Sequence, residues 1–177
     1  KFANKLWNVG KFVVSQLEGY KPRAIDREHL TVSDRWILSE YNGLIDRLQT
    51  NFNEYDFDYV ARDLHEFIWD NFCDWYIEMA KIQLDEGREN DQTQNVLYVV
   101  FEGLTRALHP IMPYITEELW SKQGERANHP LITASWVDPQ AEVDPAAKAE
   151  IDWLIALTGA VRTAKNELGI APGAKLE

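Results

Sequence analysis

The chain has 177 residues, 45% of them apolar, with seven each of Trp, Tyr and Phe and a formal net charge of −11. That is enough length and bulk for one well-buried core, and it excludes a disordered tail. The single cysteine, Cys73, cannot close an internal disulfide or build a thiolate metal cluster, and no apolar run reaches bilayer length, so a reduced cytoplasmic setting with no membrane partner is expected.

Almost every segment carries a helical period. Phe2, Leu6, Val9, Val13 and Leu17 recur at spacings of three and four and predict a first helix, closed by Gly19 and Pro22. The chain starts at Lys1 without an initiator Met, already inside this pattern, and reads as an excised fragment. Thr31 with Asp34 three residues on, or Ser33 alone, caps a second helix whose buried stripe is Leu38, Tyr41, Leu44/Ile45, Leu48 and Phe52, ending near Asn53.

Asp56 caps a third and longest helix. One stripe on it runs Phe57, Val60/Ala61, Leu64, Ile68, Trp75, Met79 and Ile82, and a second runs Trp69, Phe72/Cys73, Tyr76 and Ala80, which makes it central in a bundle. Gly87 and the polar stretch Glu89 to Thr93 stop it. A fourth helix carries Leu97, Val100/Phe101, Leu104 and Leu108 up to Pro110. Pro113 suits the first turn of a short fifth helix ending near Lys122, where Glu117 and Glu118 complement the helix dipole.

Residues 124–145 hold four widely spaced Gly and Pro residues and no lasting period, so an irregular crossing is expected, with a brief extended piece at Leu131 to Trp136. Asp144-Pro145 opens a last helix with Ile151, Leu154, Leu157/Thr158, Val161, Ala164 and Leu168 on one face and Gly169 as its C-terminal cap. The fold class is all-α, a helical bundle. Residues 1–145 form the bundle, and 146–177 form a C-terminal helix that leads toward a next module or belongs to the same domain.

Chemistry is hard to find in these elements. His65-Glu66 starts like a zinc-helix motif, but Trp69 stands where the second His is needed. There is no Gly-rich phosphate loop and no serine elbow, and Cys73 among aromatics reads as an inert buried thiol. Nothing argues for catalysis, a metal or a cofactor within these residues.

The order of the pieces is more telling: Asn4-Lys5-Leu6-Trp7-Asn8, then Asp34-Arg35-Trp36-Ile37-Leu38, then Phe72-Cys73-Asp74-Trp75-Tyr76-Ile77-Glu78 with Lys81, then His109-Pro110 through Thr116-Glu117-Glu118-Leu119-Trp120, and finally Val161-Arg162 to Ile170-Ala171-Pro172. Over nearly its whole length the chain resembles the anticodon-binding region of class I aminoacyl-tRNA synthetases, and within them the valyl family. Isoleucyl and leucyl relatives share the Glu-Glu-Leu-Trp helix but lack the Asp74 to Glu78 run in this form. Lys165 and Lys11 stand where that family commonly has Arg; charge is kept, but a bidentate guanidinium contact is not. The resemblance implies that the catalytic motifs, the ATP and Mg²⁺ they use, and the editing domain lie upstream of Lys1. It implies a partner too: tRNA of the valine isoacceptors, held at its anticodon loop.

Charge alone disfavours indiscriminate phosphate binding, yet its distribution is uneven. Residues 1–27 carry six basic and two acidic side chains, a local +4 that leaves −15 on the remainder. At about 100° per residue, Phe12 falls off the apolar stripe of the first helix, among Lys1, Lys5 and Asn8, with Asn4 and Lys11 further round. Two readings fit that placement: a base-stacking ring among amides and cations, or a ring packed on a neighbouring helix beside solvated lysines. The resemblance favours the first and implies that Lys5, Lys11 and Phe12 contact the anticodon loop, with Asn8 on the same face.

On the third helix Asn71, Asp74, Glu78, Lys81 and Asp85 share a side, either as a solvated charge stripe or as a partner face for RNA. The resemblance implies that Ile77 and Glu78 lie at the anticodon, where a carboxylate would accept from a base amino group and repel phosphate. Lys81 either pairs with Glu78 or reaches phosphate. Trp75 and Tyr76 read as core.

Overall fold

The structure is a computed structural model that describes residues 1–85, 91–124, 126, 128–139, 143–171 and 173–174. Its helices are α1 (Phe2–Gln16), α2 (Val32–Glu54), α3 (Phe57–Glu66), α4 (Ile77–Asp85), α5 (Asp91–Leu108), α6 (Pro113–Ser121) and α7 (Pro145–Glu167), with a π-helical stretch Phe67–Tyr76 joining α3 to α4. No strand occurs among the described residues, as the all-α expectation required.

The helix at the centre is α2. It opens on a capping box: the Asp34 amide donates to Thr31 Oγ1, and the Thr31 amide donates back to the Asp34 carboxylate. Trp36, Ile37, Leu38, Tyr41, Leu44, Ile45 and Leu48 are all buried, so it is enclosed on most of its circumference. It touches α3, the π stretch, α5 and α7. It ends one residue beyond the expected point, at Glu54, and the left-handed backbone of the following Tyr55 (φ 62°) turns the chain into α3.

The expected third helix is one rod with a change of pitch in its middle. The apolar doublets Phe67-Ile68 and Phe72-Cys73 lie five residues apart, and Tyr76-Ile77 follows; all six are buried. Regular α turns would rotate the later doublets off the core, whereas i→i+5 turns keep them on it. This shifts the expected stripes. Phe57 and Ile82 are exposed, Trp75 and Met79 are half-buried, and Ile77 enters the core. Asp56 holds the N-cap position of α3 without a side-chain capping bond. Gly87 and Glu89, expected to stop this rod, lie outside the described residues, and α5 has begun by Asp91.

Pro113 is in the first turn of α6 as expected, but Glu117 and Glu118 sit beyond that turn. They act locally rather than on the dipole: Glu117 accepts from the Leu131 amide at 3.0 and 3.2 Å, and Glu118 pairs with Lys122 at 2.9 Å. The extended piece expected at Leu131 to Trp136 is absent. Leu131–Thr133 is a single 3-10 turn, tied back to α6 by Glu117 and by the Trp120 indole donating to the His129 carbonyl at 2.7 Å.

Asp144 caps α7 by accepting from the Ala147 amide, and its own amide donates to Ser39 of α2. Arg35 pairs with Asp144 at 3.0 Å and Lys148 with Glu40 at 2.6 Å. The first two turns of α7, with Ala147 and Ile151 buried, therefore pack into α2 across the position where the sequence suggests a boundary. Further on, the expected buried stripe is open: Leu154, Leu157, Val161 and Leu168 are exposed.

Candidate nucleic-acid interface

Helix α1 lies over the π stretch, α5 and α6. Leu6 and Val13 are its buried anchors, and at Gly10 the Leu119 side chain of α6 comes so close that a Cβ would overlap it. The helix holds no acidic residue. Asn4, Asn8, Lys11 and Ser15 form its exposed ridge. Two flanks run beside that ridge, one against the π stretch and α4, the other against α6.

On the first flank the lysines are not equivalent. The Lys5 ammonium sits 3.8 Å from the centroid of the Trp69 ring, donates to the Trp69 carbonyl at 3.3 Å, and pairs with Asp74 at 2.5 Å. Its charge is already answered by protein groups, so Lys5 is a clamp between α1 and the π stretch. Two turns on, the Phe12 ring is half-buried and the Lys81 ammonium lies 5.4 Å from its centroid. Lys81 also donates to Glu78 at 2.6 Å, and both side chains face solvent over a large part of their surface. The fold thus brings Phe12, Lys81 and Glu78 from two helices into one aromatic–cation–carboxylate cluster.

Ile77 does not join it. At 2% exposure it belongs to the core and supports Glu78 from below. Asn71 turns away as well, its amide donating toward Glu40 of α2 at 3.4 Å. Both placements follow from the π pitch, which rotates Asp74 toward α1 and Ile77 inward. Asn8 and Lys11 stand on the exposed ridge beside the cluster.

The second flank groups residues that no single motif or spacing links. The ammonium groups of Lys11 and of Lys122, at the C-terminal end of α6, lie 5.8 and 5.9 Å from the centroid of the same Trp7 ring. Lys11 follows Trp7 by one turn of α1, but Lys122 is more than a hundred residues away, so no spacing within one helix could foretell its place at the same ring.

His65 and Cys73 are packed among other side chains. His65 stacks on Trp69 at 5.7 Å and packs against Phe2 at 4.8 Å, in a three-ring cluster that Phe2 and Trp69 close at 6.4 Å. Burial pushes the Cys73 thiol up to about 12, against which the nearby Lys5 acts only weakly. Among the described residues no three His, Cys, Asp or Glu side chains gather as a metal site would need, and no helix is long and apolar enough to cross a membrane.

The family model described as "Anticodon-binding domain of tRNA ligase" matches residues 34–177. The chain belongs to this family. The match takes in α7 and begins within the first turn of α2, leaving α1 outside it. Curated relatives cover α1 as well: the chain is 39% identical to the valine–tRNA ligase of Carboxydothermus hydrogenoformans across 99% of its length. It is 41% identical to that of Oceanobacillus iheyensis across 94% and 38% identical to that of Thermotoga maritima across 96%. The chain spans about a fifth of the length of these relatives, 20%, 19% and 19% respectively.

Proposed function

We propose that this chain is the anticodon-reading part of a valine–tRNA ligase and that it grips the anticodon loop of valine tRNA on the Phe12 flank of α1. Likeness to valine–tRNA ligases over almost every residue supports the assignment, α1 included. The cluster of Phe12, Lys81 and Glu78 is the observation that carries it to a site. Activation of valine with ATP and Mg²⁺, and its transfer to the tRNA end, then belong to catalytic and editing domains elsewhere in the parent enzyme, which works in the cytoplasm. The role of this part is to position and to discriminate.

The cluster suggests how. In the free protein Lys81 covers the Phe12 ring and holds Glu78. An unstacked base laid on Phe12 takes the place of the ammonium, which swings to a neighbouring phosphate. Glu78, released from Lys81, accepts from the exocyclic amino group of a base, a contact that wrong bases cannot satisfy. Asn8 offers an amide to a second base edge, and Lys11 offers charge to the backbone. Lys5 holds α1 in register without touching RNA, and Ile77 sets the height of Glu78.

The test is binding of the 177-residue chain to the anticodon stem-loop of valine tRNA at low salt, against the same hairpin with an altered anticodon. The cognate hairpin should bind more tightly, and Phe12→Ala should weaken it by about tenfold, the scale of one lost base–aromatic stack. Equal binding of both hairpins, or a Phe12→Ala chain that discriminates like the parent, removes the assignment.

A further inference from the structure

Beside the Trp7 flank the surface opens into a cleft of about 1000 Å³ between the end of α1, the following loop, α5 and the end of α6. Its walls are of two kinds. Val14, Leu17, Tyr20 and Tyr98 give an apolar and aromatic floor, with the two tyrosine rings 6.0 Å apart. Lys11 and Lys122 stand at the rim over Trp7, and Arg126 closes the far side.

These cations differ in availability. Arg126 is committed: it stacks on Trp120 at 3.8 Å, donates to the Tyr98 hydroxyl at 3.2 Å and lies 3.6 Å from Glu102. Among the described residues the one ion pair of Lys122 is a surface pairing with Glu118, worth little in water. Lys11 is exposed and makes no ion pair among the described residues. Among the described residues Glu18 is the one acid lining the cleft, in a chain with eleven more acidic than basic residues. A local cationic rim over an aromatic floor on an otherwise acidic body is complementary to one ligand class, a nucleotide with its phosphate.

We propose that this cleft holds one nucleotide of the bound RNA strand, its phosphate between Lys11 and Lys122 and its base against Tyr98 and Tyr20. The inference rests on the anticodon reading above and extends it. The strand crosses the acid-free ridge of Asn8, Lys11 and Ser15 from the Phe12 cluster into the cleft, so α1 is gripped across both flanks. The two flanks then divide the work: the Phe12 flank reads bases, while the cleft supplies affinity that does not depend on the anticodon's identity.

Three variants of the 177-residue chain test this with the same pair of hairpins across a salt series. Lys122→Ala should weaken both hairpins by a similar factor, about fivefold, and flatten the salt dependence by about 0.7 in logarithmic slope, as for one phosphate lost from a single strand. Ser15→Trp, which fills the cleft from an exposed position, should weaken both equally, and Glu18→Lys should tighten both. Thermal melting shows that each variant is folded. If Lys122→Ala and Ser15→Trp bind like the parent chain while that chain still discriminates the anticodon, the cleft is not used and the anticodon reading survives. If the parent chain fails to discriminate, the anticodon reading falls and this inference falls with it.

Discussion

The phenol of Tyr76 donates a 2.8 Å hydrogen bond to Oδ1 of Asp34, and neither side chain reaches solvent. The other carboxylate oxygen accepts from Thr31 at 2.8 Å and from Thr93 at 3.0 Å. One acidic group therefore joins the start of α2 to the π stretch and to α5.

That network makes stability depend on pH in a direction opposite to the usual carboxylate. Burial raises the Asp34 pKa, and the hydrogen bonds from Thr31, Tyr76 and Thr93 only partly oppose it. Between the ordinary carboxylate value and the raised folded value, the native state holds a proton that the unfolded chain has lost, so stability contributed here falls as pH rises through that window. Tyr76→Phe removes one donor to the ionised form and should cost about 1–3 kcal/mol near pH 7. The loss should shrink near pH 4. Urea unfolding at both pH values checks this, and an equal loss at both would contradict it.

Gly103 of α5 faces Tyr41 of α2 so closely that a Cβ would overlap the phenol. Gly103→Ala should destabilise by about 1–3 kcal/mol through overpacking, although alanine is the better helix former. Gly159 of α7 has nothing within 4 Å, so Gly159→Ala should instead stabilise, by about 0.5–1 kcal/mol. Thermal unfolding of the two variants should move in opposite directions.

Lys5 clamps α1 through an aromatic face and a carboxylate that is half exposed. Because that pair is screened by water, Lys5→Ala should cost only about 1 kcal/mol in stability. The same change frees α1 from the π stretch, so it should loosen RNA binding and alter Trp69 fluorescence. Asp74→Asn should give a smaller effect on both readouts, since the ring contact remains.

Cys73 is enclosed and its thiol is pushed up to about 12 by burial. It should resist thiol reagents at neutral pH and react only as fast as the chain unfolds, with labelling accelerated by denaturant. Stoichiometric labelling of the folded chain within seconds would show that this part of the core opens readily.

Local signals were legible where the physics is local. The Thr31–Asp34 capping box, Pro113 in the first turn of α6 and Asp144 at the start of α7 are set by backbone groups within four residues, and each appears as the sequence implied. The brief extended piece expected at Leu131 to Trp136 is a 3-10 turn instead, because no partner strand exists among the described residues and Glu117 and Trp120 hold the segment to α6. The stripe on α7 misled for a related reason: periodicity marks which residues are apolar, and packing decides which of them find a partner.

The all-α architecture, several helix starts and the family were legible in the chain alone, because periodicity, caps and ordered motifs are written in neighbouring residues. Only the tertiary structure decided the membership of the candidate site. The π pitch between Phe67 and Tyr76 placed Asp74 beneath Lys5 and sent Ile77 inward, and the crossing of α1 with α4 and α6 set Lys81 over Phe12 and Lys122 over Trp7. Those are distances between helices far apart in the chain, fixed by how their buried faces fit, and no residue spacing along one helix contains them.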